Sequence, residues 1–190
     1  MPLLPRLRDE IAPYRRTVAV GTIPAVFWAV WVSGPGPATA ATVVLAAASV
    51  PLFVIDLRTH RLPDAITLPS TALVLLLLAS AGLVTGDPAL WRSLLGGIVL
   101  GGAYLLLHVV NPAGLGFGDV KLAVPLGLVS AWYGWPVLWG TVILPFFLGG
   151  IVGLVLIVAR RATRRTAIAF GPFMIAGAAI VLTGVRIANG

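Results

Sequence analysis

Six carboxylates occur in these 190 residues, and two of them stand where a carboxylate is hard to accommodate. Asp56 closes one long apolar run and Asp119 opens another. An ionisable group at such a place in a strongly apolar chain marks a functional site. Two carboxylates that share a site can do hydrolytic chemistry with a single water. One takes a proton from the water while the other, still protonated, polarises the carbonyl under attack. Like charges at short range do not both ionise, so such a pair shares one proton and titrates as a unit. Gly116 and Gly118 precede the second aspartate in Gly116-Phe117-Gly118-Asp119-Val120-Lys121-Leu122. Neither carries a Cβ, so the backbone there is expected to turn sharply and to admit another chain at close range.

Each of these residues also has a structural reading. Asp119 can cap the helix it opens. Asp56 can pair with Arg58 or Arg61 at the membrane interface. Asp64 follows Pro63 and precedes an apolar run, which suits a helix cap or loop organiser better than a direct chemical role. Lys121 can orient a carboxylate, or snorkel to lipid phosphate. Asp87 lies in the turn Thr85-Gly86-Asp87-Pro88. His60 sits in a charged loop and His108 within an apolar run, with no third ligand in view, so no metal site is predicted. The cysteine count is zero, so neither a disulfide framework nor a thiolate zinc site can form.

The elements that must carry the two aspartates are membrane helices. The chain is 59% hydrophobic and 10% charged, with mean hydropathy +1.04. A water-soluble domain is nearer half apolar and a quarter charged. The composition therefore predicts an all-α, polytopic transmembrane bundle. Residues 1–16 form a basic, proline-broken tail, with Arg6, Arg8, Arg15 and Arg16 against Asp9 and Glu10. A first apolar helix covers 17–33 and turns at Ser33-Gly34-Pro35-Gly36-Pro37. A competing reading makes that segment a secretory signal with a small-residue cleavage site at Ala38-Thr39-Ala40. Six further helices are predicted in 38–190, at about 38–57, 64–84, 90–110, 119–132, 137–159 and 168–186. The fifth of the seven is short and is expected to be embedded among its neighbours. Gly97/Gly101 and Gly149/Gly153 have the spacing that lets helices approach closely in lipid; packing within one bundle is the favoured use, ahead of dimerisation.

The net charge of +7 is distributed, not clustered on a soluble module, so nucleic-acid binding is not expected. Seven crossings put eleven of the 13 Lys and Arg on one side, with Arg92 and Arg186 alone on the other. Positive residues mark the cytoplasmic side. This predicts a cytoplasmic N-terminus, an outer C-terminus, and both Asp56 and Asp119 at cytoplasmic helix ends.

Gly116-Phe117-Gly118-Asp119 resembles the Gly-x-Gly-Asp signature of intramembrane aspartyl proteases. With Val120-Lys121-Leu122 it is similar to the form found in type IV prepilin peptidases. Asp56-Leu57-Arg58-Thr59-His60-Arg61-Leu62-Pro63-Asp64-Ala65-Ile66-Thr67-Leu68-Pro69 resembles that family's upstream aspartate and loop, and Phe170-Gly171-Pro172-Phe173 resembles a C-terminal element. The resemblance covers about residues 40–186. It implies catalytic Asp56 and Asp119, with Gly116, Gly118, Lys121 and Asp64 as support. It implies no metal or other cofactor, and a prepilin-like substrate cut on the cytoplasmic side between a basic leader and a hydrophobic helix. The paired Cys-x-x-Cys motifs that accompany N-methylation in larger members have no counterpart, which matches a short, peptidase-only form. From other classes, a small proton-coupled transporter would place an acidic residue deep in a helix with access from both faces, and a non-catalytic pilus or secretion assembly factor would not need the aspartates. Membrane lipid is the other expected contact; oligomeric state is not legible.

Overall fold

The computed structural model describes residues 11–112, 114–161 and 168–189. All regular structure among them is helical. A short 3-10 turn, Ala12–Tyr14, leads into α1 (Arg15–Ser33). There follow α2 (Thr39–Thr59), α3 (Asp64–Thr85), α4 (Ala89–Val110), α5 (Phe117–Tyr133), α6 (Trp135–Val158) and α7 (Gly171–Asn189). Arg6, Arg8, Asp9 and Glu10 of the basic tail, and Arg164 and Arg165 between α6 and α7, lie outside the described residues.

Among the described residues, six helices are long and apolar enough to cross a membrane. In hydrocarbon every backbone polar group must find its partner within the protein, which an uninterrupted helix provides. The ends follow from local chemistry. Gly86 adopts the left-handed conformation (φ 66°, ψ 21°) that stops α3, and Gly34 stops α1 with a positive φ of 64° and an extended ψ of −174°. Pro136 and Pro172 fall in the first turns of α6 and α7, where a missing N–H leaves no helical bond unmade. The bundle is apolar outside as well as inside. Trp139, Ile143, Phe147, Leu154 and Val155 of α6 are all exposed, as suits a lipid-facing surface.

The one helix outside that set is α5. Its 17 residues span about 26 Å at 1.5 Å per residue, somewhat less than a bilayer core of about 30 Å. It is the centre of the bundle, with 12 of its 17 residues buried. The α4–α5 contact is closest. A Cβ on Gly96 would lie 2.1 Å from Ala131 Cβ, and one on Gly127 would lie 2.4 Å from the Gly96 carbonyl oxygen. Gly97 faces Leu128 and Gly101 faces Val124, so the Gly97/Gly101 spacing serves packing within the bundle, as expected. Gly149 and Gly153 face Phe170, Phe173 and Ile168 at the start of α7, again within one chain. Polar groups lock the far end: Ser93 donates to the Leu128 carbonyl at 2.7 Å, and Arg92 donates to the carbonyls of Ala131 and Trp132. The Arg92 bonds serve the last turn of α5, where carbonyls run out of helical partners.

Candidate active site

The two aspartates arrive from different helices at the same end of the bundle. Asp56 lies in the last turn of α2, whose end is made by His60. That residue takes the left-handed conformation (φ 53°, ψ 38°) and donates its N–H to the Asp56 carbonyl at 2.9 Å. Histidine is among the few side chains that tolerate this region. The turn sends the chain back over the bundle through Leu62 and Pro63 into α3.

Asp119 lies in the first turn of α5. The helix begins at Phe117, with Gly116 as its extended N-cap, so Asp119 is the third helical residue and not the cap. It still serves the helix end: its Oδ2 accepts the Gly116 N–H at 3.0 Å, and its own N–H donates to the Gly116 carbonyl at 3.1 Å. A carboxylate there also meets the positive end of the helix dipole. The preceding loop is pinned by His108 on α4, which donates from Nδ1 to the Leu115 carbonyl at 2.7 Å and stacks 5.5 Å from the Phe117 ring.

Asp56 has the matching arrangement. Its Oδ2 accepts the backbone N–H of Gly171, the first residue of α7, at 3.0 Å. Each aspartate is thus held by one backbone N–H through one oxygen. Among the described residues no Lys or Arg pairs with either; Arg58 and Arg61 leave Asp56 unpaired. Asp56 is 4% exposed and Asp119 7%. Both nevertheless line one cleft of about 850 Å³, lined also by Tyr14, His60, Leu62, Asp64, Phe117 and Lys121. Among the described residues, no three His, Asp or Glu side chains converge as a metal site would need.

Both glycines sit against the protein's own residues. Gly116 is not in a glycine-only conformation (φ −70°, ψ 150°). At Gly118 the close neighbour is the protein's own loop: an added Cβ would lie 2.9 Å from Leu62 Cβ. Leu62 also reaches Gly171, where an added Cβ would lie 3.3 Å from Leu62 Cδ1 and 2.7 Å from Asp56 Oδ2. Leu62 therefore sits between two bare positions and ties the start of α5 to the start of α7.

Lys121 and Asp64 meet each other and neither aspartate of the cleft. Lys121 Nζ lies 2.6 Å from Asp64 Oδ1 and 5.0 Å from the centre of the Phe117 ring. Asp64 is the first residue of α3 behind the N-cap Pro63, and makes no capping bond. It organises the loop by its ion pair, not by capping. Asp87 behaves as a turn residue, accepting the Ala89 N–H at 2.8 Å. Sequence reasoning gave no role to Gly171, Leu62 or Tyr14. The only signal for Gly171 was its place in Phe170-Gly171-Pro172-Phe173.

These features define a polytopic membrane protein with a two-aspartate cleft at one end of its bundle. A sequence model of the Type IV leader peptidase family matches residues 43–158, and the chain belongs to that family. It is 35% identical over 135 residues to a prepilin leader peptidase/N-methyltransferase of Stutzerimonas stutzeri, covering 70% of this chain and 46% of the relative. It is 38% identical over 138 residues to the like-named protein of Pseudomonas putida (72% and 47%). Against that of Aeromonas hydrophila it is 35% identical over 152 residues (79% and 51%). The chain spans about half the length of the curated relatives it matches. No solved structure gives a significant match.

Proposed function

We propose that the chain is an aspartic endopeptidase that removes the leader of prepilin-like proteins at the cytoplasmic face of the inner membrane. The observation that carries this reading is the pairing of Asp56 and Asp119 in one cleft. Each is buried, each is held through one oxygen by a backbone N–H, and neither is neutralised by a cation among the described residues. A carboxylate pair so placed is suited to share one proton. The ionised member takes a proton from water as the water oxygen bonds to the scissile carbonyl carbon. The protonated member gives its proton to the carbonyl oxygen. Collapse of the tetrahedral intermediate breaks the C–N bond, and the leaving nitrogen takes up a proton. No step calls on a metal or other cofactor.

The substrate class follows from the family and from the names of the relatives. The charge split supports the membrane side: Arg58 and Arg61 of the α2–α3 loop, Lys121, and Arg160 and Arg161 after α6 belong to the same set of loops as the cleft aspartates, and positive loops mark the cytoplasmic side. The basic leader of a prepilin would stay in the cytoplasm while its apolar helix remains in lipid. These residues hold no cysteine, and we assign them the peptidase step.

Co-expression with prepilin-like proteins of the same genome tests the reading. The expected result is a faster-migrating product, trimmed at a single bond and unaffected by EDTA. Failure to trim any of them, or EDTA inhibition reversed by a divalent metal, would contradict it. On this cysteine-free background, single cysteines at positions 60 and 87 should label from opposite sides of the membrane.

A further inference from the structure

One buried group close to the site has no role in the scheme above. Tyr104 on α4 is 1% exposed, and its hydroxyl has no hydrogen-bond partner among the described residues. A buried unpaired hydroxyl is destabilising, and such groups are uncommon enough to need a reason. Phenylalanine would fill the same space without that penalty. The ring is held firmly, 5.8 Å from Phe146 of α6 and 6.2 Å from Phe170, the residue just before Gly171. Its direction is therefore set by packing.

The register of α4 on α5 shows what the hydroxyl is near. Gly97 faces Leu128, Gly101 faces Val124, and His108 faces Phe117. The helices run antiparallel, and positions 97, 101, 104 and 108 recur at the three- and four-residue spacing that keeps one helix face. Tyr104 lies on that face between the contacts to Val124 and Phe117. It is level with the first turns of α5, the turns that carry Asp119.

We propose that Tyr104 is a positioning residue for Asp119: its hydroxyl hydrogen-bonds, through one bound water, the carboxyl oxygen of Asp119 that Gly116 does not hold. Asp119 would then be fixed from both sides, by the Gly116 N–H on Oδ2 and by the tyrosine-held water on Oδ1. The proposal rests on the reading of Asp119 as a catalytic carboxylate. The other titratable groups acting on Asp119 are Asp56 from α2 and His108 from α4. Lys121, two residues on, is engaged by Asp64, and His60, in the loop after α2, lines the same cleft as Asp56.

The variant Tyr104→Phe keeps the ring and its aromatic contacts and removes only the hydroxyl. Its expected effect is a fall in kcat of about ten-fold with unchanged KM. One limb of the pH–kcat profile should move to higher pH by about one unit, the size of one hydrogen bond to a charged group. A purely structural tyrosine would leave the profile unmoved in Tyr104→Phe, and that result overturns the proposal. A second measurement needs no substrate. The infrared carboxyl band that disappears in Asp119→Asn should titrate at higher pH in Tyr104→Phe than in the wild type. An unmoved band overturns the proposal even if activity changes. A moved band in a protein that trims no prepilin upholds the Tyr104 link while rejecting the peptidase reading.

Discussion

Two acidic pairings stand within a few residues of each other at the same end of the bundle, and they are built in opposite ways. Asp64 meets Lys121 in a 2.6 Å ion pair, with side chains 55% and 24% exposed. Asp56 and Asp119 line one cleft, buried, each held by a backbone N–H and with no cation among the described residues. An exposed ion pair contributes about 0–1 kcal/mol. Two buried carboxylates facing each other oppose folding, and a chain that keeps them is using them. The residue type is the same in both pairings; burial and partner separate structural from chemical use.

The largest expected effect breaks the buried pair. Asp56→Asn and Asp119→Asn should each lower cleavage by about a thousand-fold or more, since neither amide can exchange the proton. Both proteins should remain in the membrane at wild-type level, with thermal unfolding unchanged or slightly later. If Asp56→Asn trims at near the wild-type rate while Asp64→Asn is dead, the two pairings have been assigned the wrong way round.

Gly171→Ala comes next. Helix propensity alone would favour alanine by about 1 kcal/mol. Its Cβ, however, would lie 2.7 Å from Asp56 Oδ2 and displace the carboxylate. Misplacement of about 1 Å costs up to about a hundred-fold in rate, so kcat should fall about 10- to 100-fold with little change in unfolding temperature. A fully active Gly171→Ala would mean that the Gly171 N–H does not set Asp56.

Gly96→Ala tests the scaffold rather than the site. The added methyl would collide with Ala131 and the Gly127 carbonyl, and overpacking of this kind costs about 1–3 kcal/mol. Unfolding in detergent should show that loss. Gly102→Ala, with nothing within 4 Å, should show none. The smallest effect belongs to the exposed pair: Asp64→Asn and Lys121→Met should each leave cleavage within a few-fold of wild type.

The helices were legible because lipid demands continuous apolar runs, and glycine and proline mark where those runs stop. The fifth helix was legible only as short. Its start at Phe117 depends on Gly116 taking an extended conformation, which composition does not report. The seventh begins at Gly171 and not near Ile168; Pro172 in its first turn carried that signal. Asp56 and Asp119 could be picked out because carboxylates beside apolar runs are conspicuous. What holds them could not. The Gly171–Asp56 bond joins residues 115 positions apart, and the place of Leu62 between Gly118 and Gly171 exists only once α2, α5 and α7 have packed. The Lys121–Asp64 pair was hidden for the same reason, so Lys121 read as a lipid-facing or site-directed cation and Asp64 as a helix cap or loop organiser.

The claim that Asp56 and Asp119 act as one unit is tested most directly by the double variant. Cleavage of one prepilin substrate is followed over long incubation in Asp56→Asn, Asp119→Asn and the protein carrying both changes. Residues that act together are strongly non-additive, so the double variant should be no slower than either single one. Losses that multiply, giving a double variant about a thousand-fold slower than each single, would mean that the two carboxylates work independently and do not share the water.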